Sequence, residues 1–262
     1  VEYPRSAGSS PIEERRVPQF TVENVGLRRL AKTIDHSLLR PELDLGTVLE
    51  GVRLAVRYDV ASATVRPADV RQAAELVAGT DVMISTVVGF PHGSSATATK
   101  VFETEQVVGD GADEVDMVLN IGRLLSGEDA YVLDEIRAVV EAAGGRTVKV
   151  IFENAYLTDE RKIRACELTA EAGAHFVKTS TGFASSGATI EDLVLMRSHT
   201  PAHVQVKAAG GVRTLDALLE VMNVGVTRIG ATATETILED YKARTAGAAS
   251  EEPAGAGLGG GY

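Results

Sequence analysis

The chain has 262 residues, 44% hydrophobic and 24% charged, the balance of a globular protein able to bury a sizeable core. Its 37 acidic against 26 basic residues give a formal charge of −11, which disfavours non-specific binding to nucleic acid or to an anionic membrane. One cysteine excludes an intrachain disulfide and a thiolate metal cluster, and the absence of tryptophan leaves the core to Val, Leu, Ile and Ala.

Residues 1–20 carry three prolines and charges throughout, so they read as a flexible arm and not as an export signal, and a cytoplasmic location follows as the expectation. A short helix is expected over 22–29. Apolar runs then begin near Lys32, Val60, Asp81, Glu114, Thr147, Ala174, His203 and Val226. Each is followed by a stretch of helical period, at 45–57, 67–78, 96–108, 130–142, 159–172, 190–198, 215–222 and 235–243. Leu215, Leu218, Leu219 and Met222 show the spacing of a stripe that covers a sheet, while VKVIF at 148–152 is too apolar for either face to meet water. Eight such units over roughly 32–244 predict a (β/α)8 TIM barrel that, with an extra N-terminal helix, makes one catalytic domain over 21–244. A doubly wound open sheet is the alternative, but no Gly-rich dinucleotide loop follows the first strand. From Thr245 to Tyr262 the composition is dominated by Ala, Gly and Glu, and a disordered tail is expected.

Lysines are few, seven against nineteen arginines, and Lys32, Lys149, Lys178 and Lys207 fall in predicted strands. A buried ammonium is costly without a partner or a function. Lys178, in HFVKTSTGF, and Lys207, in HVQVKAAGG, occupy matching positions near the ends of strands 6 and 7, about 5 Å apart across the sheet. If both point inward, repulsion and burial favour loss of a proton, and one amine becomes a nucleophile near neutral pH. Strand 4, DEVDMVLN, places Glu114, Asp116 and Val118 on one face, and Asp116 needs a donor there: Lys149 one strand over or a lysine across the barrel. Strand 1 adds Asp35 and His36, and strand 5 sets Lys149, Ile151 and Glu153 in register.

After strand 7, AAGGVRT offers Gly210 and Gly211 for a tight backbone turn, with Thr214 as the cap of the next helix. After strand 8, IGATAT leads Gly230, Ala231 and Thr232 into a helix N-terminus. Two such loops in succession match the usual phosphate site of this fold, so phosphate is expected at these residues, with Arg213 beside them. Cys166 has helical spacing to Ile163 and Ala170 and reads as a buried small hydrophobe. His175 alternates away from Lys178, and His92 follows strand 3. No spacing supports a metal site at Asp35, His36 and His92, so neither metal nor cofactor is expected.

The segments TIDHSLLRP (33–41), VVGFPHG (87–93), GADEVDMVLNIG (111–122), KVIFE (149–153), FVKTSTGF (176–183) and VKAAGGVRT (206–214) resemble the deoxyribose-phosphate aldolase family, class I metal-independent aldolases, over 25–244. The resemblance implies a Schiff-base lysine at Lys178, a second essential lysine at Lys207 and a proton-transferring aspartate at Asp116. It implies reversible cleavage of 2-deoxy-D-ribose 5-phosphate to acetaldehyde and D-glyceraldehyde 3-phosphate, with Gly182 among the substrate contacts, Asp35 and Lys149 in support, and a homodimer. The family's frequent strand-2 cysteine is missing from VASATVRP at 60–67, and Ala233 stands where a second serine often follows the phosphate loop. A Schiff-base aldolase for a different phosphorylated sugar or keto acid, a proton-transfer isomerase, and a sugar-phosphate binder are the competing readings.

Overall fold

A computed structural model describes residues 19–247. Helix α1 (Leu27–Ala31) precedes β1 (Ile34–Leu38). Then follow α2 (Leu45–Arg57), β2 (Ser62–Val65), α3 (Val70–Val77), β3 (Met83–Val88), α4 (Thr97–Gly109) and β4 (Glu114–Val118). After β4 come two helices, α5 (Ile121–Leu125) and α6 (Asp129–Ala142), and then β5 (Thr147–Ile151), α7 (Asp159–Glu171), β6 (Phe176–Lys178) and α8 (Ile190–Ser198). The chain finishes with β7 (Gln205–Ala209), α9 (Leu215–Asn223), β8 (Arg228–Ala231) and α10 (Thr234–Thr245). All neighbouring strands pair in parallel, and β8 pairs with β1 to close the barrel.

The alternation of each strand sorts the side chains. On β5, Val148 and Val150 are fully buried on the face opposite Lys149, and the helices cover them. On α9 the apolar stripe meets the sheet, with Leu215 and Leu218 wholly buried, and truncating such a leucine costs about 2–5 kcal/mol. Asp44, Thr189 and Thr214 each accept a hydrogen bond from the backbone N–H three residues on, starting α2, α8 and α9.

Three expectations need correction. The helix expected over 22–29 starts only at Leu27, because Gly26 is extended, and it runs on to Ala31. Lys32 ends that helix and is not in a strand. Its amine donates to Asp59 (2.6 Å) and to the carbonyls of Val60 and Asp81, below the strands that carry the other lysines. The arm also ends sooner than expected. Phe20 donates its N–H to Asn223 Oδ1 (2.6 Å) and accepts from Asn223 Nδ2 (3.1 Å), so it is fastened to α9. The rest of the arm, 1–18, and the tail from 248 lie outside the described residues, while Thr245 is the last residue of α10.

Candidate active site

Barrel closure brings the inward charged side chains of six strands into one network. Registers pair Asp116 with Lys149, Lys178 with Lys207, and Lys207 with Arg228. Asp116 is fully buried and takes three amines. Lys149 Nζ donates to Oδ1 at 2.7 Å, while Lys178 and Lys207 both donate to Oδ2, at 2.7 and 2.8 Å. The two partners proposed for Asp116 from the sequence are therefore both present. Lys207 also donates to Asp35 Oδ2 (2.5 Å), and Lys149 donates to Glu114 Oε2 (2.7 Å). Beneath them Arg228 binds Asp35 Oδ1 (2.5 Å) and Glu114 Oε2 (3.1 Å), and its guanidinium lies 5.7 Å from the centre of the Phe176 ring. Ser62 and Ser85 donate to Asp35 and Asp116.

Charge balance decides the ionisation of these groups. Burial pushes the Asp116 carboxyl up, but Lys149, Lys178 and Lys207 outweigh it and hold it well below the usual carboxylate range. Asp35 is likewise held down against burial, by Arg228, Lys207 and Lys149. Lys149 resists the pull of burial through Asp116, Glu114 and Asp35 and stays above the ordinary lysine range. Lys207 goes the other way. Burial, aided by the charges of Lys149 and Lys178, brings it below an ordinary lysine despite two carboxylate partners.

The loops over the strand ends complete the site. Glu153, expected in register with Lys149, instead takes a left-handed conformation (φ 57°) just past β5. Its buried carboxylate accepts from the Thr181 hydroxyl and backbone N–H, and burial raises its pKa. Gly182 (φ 90°) follows, and then Phe183, whose ring meets Phe90 edge to face at 5.3 Å. Phe90 belongs to the loop after β3, in which Gly93 packs on the Leu119 carbonyl, so this aromatic pair spans the ends of β4 and β5.

Over β7 and β8 lies a cavity of about 240 Å³. Gly210, Gly211 and Val212 wall one side, Gly230, Ala231 and Thr232 the other, and Arg40 and Arg213 reach it. Gly210 (φ 80°) and Gly211 (φ 94°) adopt backbone conformations that L side chains rarely take. Helices α9 and α10 begin just beyond these loops, so N–H groups and helix dipoles suit an anion. Gly182 is not part of this wall. The wall is locked to the loop after β6: a Cβ on Gly187 would stand 2.6 Å from the Gly210 carbonyl carbon, and Ala188 N–H donates to the Ala209 and Gly210 carbonyls.

Other residues singled out in the sequence stay apart. His36 is buried, its Nδ1 sits 2.9 Å from the Thr234 hydroxyl, and burial lowers its pKa to about 4. His92 is exposed, and Asp35 is occupied by Ser62, Lys207 and Arg228, so these three do not assemble. Among the described residues no group of three His, Cys, Asp or Glu side chains could hold a metal ion. His175 is exposed below β6, where its Nδ1 accepts the Val148 N–H. Cys166 is buried under α8, and burial pushes its thiol up to about 12.

Fold and cluster together define a barrel enzyme with amines and a carboxylate converging at the reacting ends of its strands. The chain belongs to the DeoC/LacD family of aldolases, whose model matches residues 47–254. It is 50% identical over 218 residues to the deoxyribose-phosphate aldolase of Bacillus cytotoxicus, covering 82% of this chain and 98% of that protein. With the deoxyribose-phosphate aldolase of Rhodopirellula baltica it shares 49% identity over 215 residues, covering 81% and 89%. The solved deoxyribose phosphate aldolase of Aeropyrum pernix, a tetramer, superposes with a TM-score of 0.77 at 30% identity, covering 84% of this chain and 93% of that one. No helix among the described residues is long and apolar enough to cross a membrane.

Proposed function

We propose that the protein reversibly cleaves 2-deoxy-D-ribose 5-phosphate to acetaldehyde and D-glyceraldehyde 3-phosphate, with Lys178 as the Schiff-base nucleophile. The observation that carries this reading is the meeting of Lys178 and Lys207 on one oxygen of Asp116, at 2.7 and 2.8 Å. Two amines on one carboxylate oxygen titrate as a unit. Lys207 is held by two carboxylates, Asp35 and Asp116, whereas Lys178 has Asp116 alone, so Lys178 is the amine less tied down and is assigned the attack.

Lys178 Nζ adds to the C1 carbonyl of the open-chain sugar, and the carbinolamine loses water to give an iminium. Asp116 accepts the proton of the C3 hydroxyl, directly or through a water. As the C3 carbonyl forms, the C2–C3 bond breaks and its electrons pass into the iminium as an enamine. Glyceraldehyde 3-phosphate leaves, C2 of the enamine takes a proton, and water releases acetaldehyde and returns the amine. Asp35 and Lys149 support the cluster by holding Lys207 and Asp116 in place. The phosphate sits among the N–H groups of Gly210, Gly211, Gly230 and Ala231 with the Thr232 hydroxyl, and Gly182 shapes the loop on the nucleophile's side. A phosphorylated sugar is charged and does not cross a bilayer unaided, which fits a cytoplasmic enzyme. We assign it a homodimer, which sedimentation at micromolar concentration checks against a monomer or a tetramer.

Borohydride reduction in the presence of acetaldehyde tests the central claim. The wild-type protein should gain a two-carbon adduct that maps to Lys178, and Lys178→Ala should lose both the adduct and turnover. An adduct mapped to Lys207, with turnover near wild type in Lys178→Ala, would exchange the roles of the two lysines. Release of acetaldehyde from deoxyribose 5-phosphate, against other phosphorylated sugars and keto acids, tests the substrate.

A further inference from the structure

The interior network is closed. Among the described residues Asp35, Glu114 and Asp116 form ion pairs with Lys149, Lys178, Lys207 and Arg228 alone, so three carboxylates face four cations. Every strand that lines this space is accounted for: β2 and β3 contribute the neutral hydroxyls of Ser62 and Ser85. His36, from β1, is neutral near pH 7 because burial lowers its pKa to about 4. Glu153, past the end of β5, bonds to Thr181 and forms no ion pair with any of these four cations. An unbalanced charge in such a space is expensive, and the network relieves it by losing one proton.

Which group loses it follows from the contacts. A guanidinium does not give up its proton in a protein. Lys149 has three carboxylates within 3.6 Å and keeps its own. The surplus therefore falls on the two amines that share Asp116 Oδ2. Arg228 touches neither amine; it acts through Asp35, which it shares with Lys207, and through Glu114, which it shares with Lys149.

We propose that Arg228 is a positioning residue for the reaction: as the one cation of the interior that cannot be neutralised, it obliges Lys178 and Lys207 to hold one proton between them and so sets the pH at which Lys178 is a free amine. The inference rests on Lys178 being the nucleophile. It makes the count of buried charges, and not the identity of Lys207 alone, the determinant of the working pH.

The test is the pH dependence of kcat/KM and of borohydride trapping for the wild type, R228M, R228K, E114Q and the double variant E114Q/R228M. In R228M three cations face three acids, both amines stay protonated, and the acid limb of the profile moves up. The shift expected for one charge at an effective dielectric near 20 is about one pH unit, a loss of roughly tenfold at pH 7 that is regained by about pH 9. R228K, whose ammonium can give up its proton where a guanidinium cannot, should move the limb up by less than R228M does. E114Q raises the surplus of cations and should move the limb down, a result that stands even if R228M does not fold. E114Q/R228M restores a surplus of one and should bring the limb back towards wild type, whereas two purely structural lesions would compound. Equal loss of rate at all pH values in R228M, or a double variant worse than either single one, would overturn the inference. Failure of the wild-type protein to form the adduct at Lys178 would instead overturn the reading on which it rests.

Discussion

Inside the barrel seven charged side chains from six strands bond to one another, all buried but the part-buried Arg228, while the cavity over β7 and β8 is walled largely by glycine backbone and small residues. The first region depends on what each residue is, because every amine or carboxylate there has a named partner. The second depends on what each residue permits, since a side chain at Gly210 or Gly211 would oppose the backbone angles of the loop that walls the cavity. A substitution in the first should change how fast and at what pH bonds are made. One in the second should change how tightly the phosphorylated end is held.

The largest effect separating the two is at Lys178, where replacement by Ala should remove chemistry altogether. Next comes Lys207→Leu. Its loss removes a cation beside Lys178, so the amine sheds its proton only at higher pH, and below that pH it is protonated and inert. Turnover at pH 7 should fall on the order of a hundredfold, for one charge removed at close range, and partly recover as pH rises. A rate ratio to wild type that does not change with pH would break the assignment of an electrostatic role to Lys207. The smallest effect, in the other region, is Gly211→Val. A β-branched residue at φ 94° is strained, and KM for the phosphorylated sugar should rise about tenfold while kcat/KM for the unphosphorylated sugar changes little. Equal loss on both substrates would show that the loop had failed as a whole, and the two regions would no longer be separable.

How much is legible in the sequence differs between the regions for the same reason. Strand alternation suffices to set Asp116, Lys149, Lys178 and Lys207 on inward faces, because a charge amid valines is too costly to bury unless partners across the barrel receive it. Lys32 misleads, being adjacent to an apolar run that begins as a strand only at Ile34. Arg228 escapes a reading by pattern, although its two-residue spacing from Gly230 puts it on the inward face of β8; an arginine at a strand's first residue looks like a surface group. Arg40 reaches the anion cavity from the loop after β1, a closeness that only closure of β8 on β1 creates. Burial of Lys100 on α4, paired with Glu135 at 2.9 Å and bonded to the Val118 carbonyl, shows that strand lysines are not the only enclosed ones. The five-residue α5 is too short to show a period, and the Phe90–Phe183 contact joins loops whose strands are three apart.

The seam between Gly187 and Gly210 has a consequence for the size of molecule the enzyme accepts. Because the loop leaving the strand of Lys178 and the wall of the anion cavity are locked backbone to backbone, the distance from that strand to the anion site is set by the main chain. That span is a property of the main chain and works as a gauge. Under the proposed roles of Lys178 and the cavity, a sugar phosphate should be accepted when its carbonyl carbon and its phosphate are the right number of bonds apart. Widening the choice of substrates by length therefore means recutting the seam itself, whereas the chemistry at Lys178 can stay as it is.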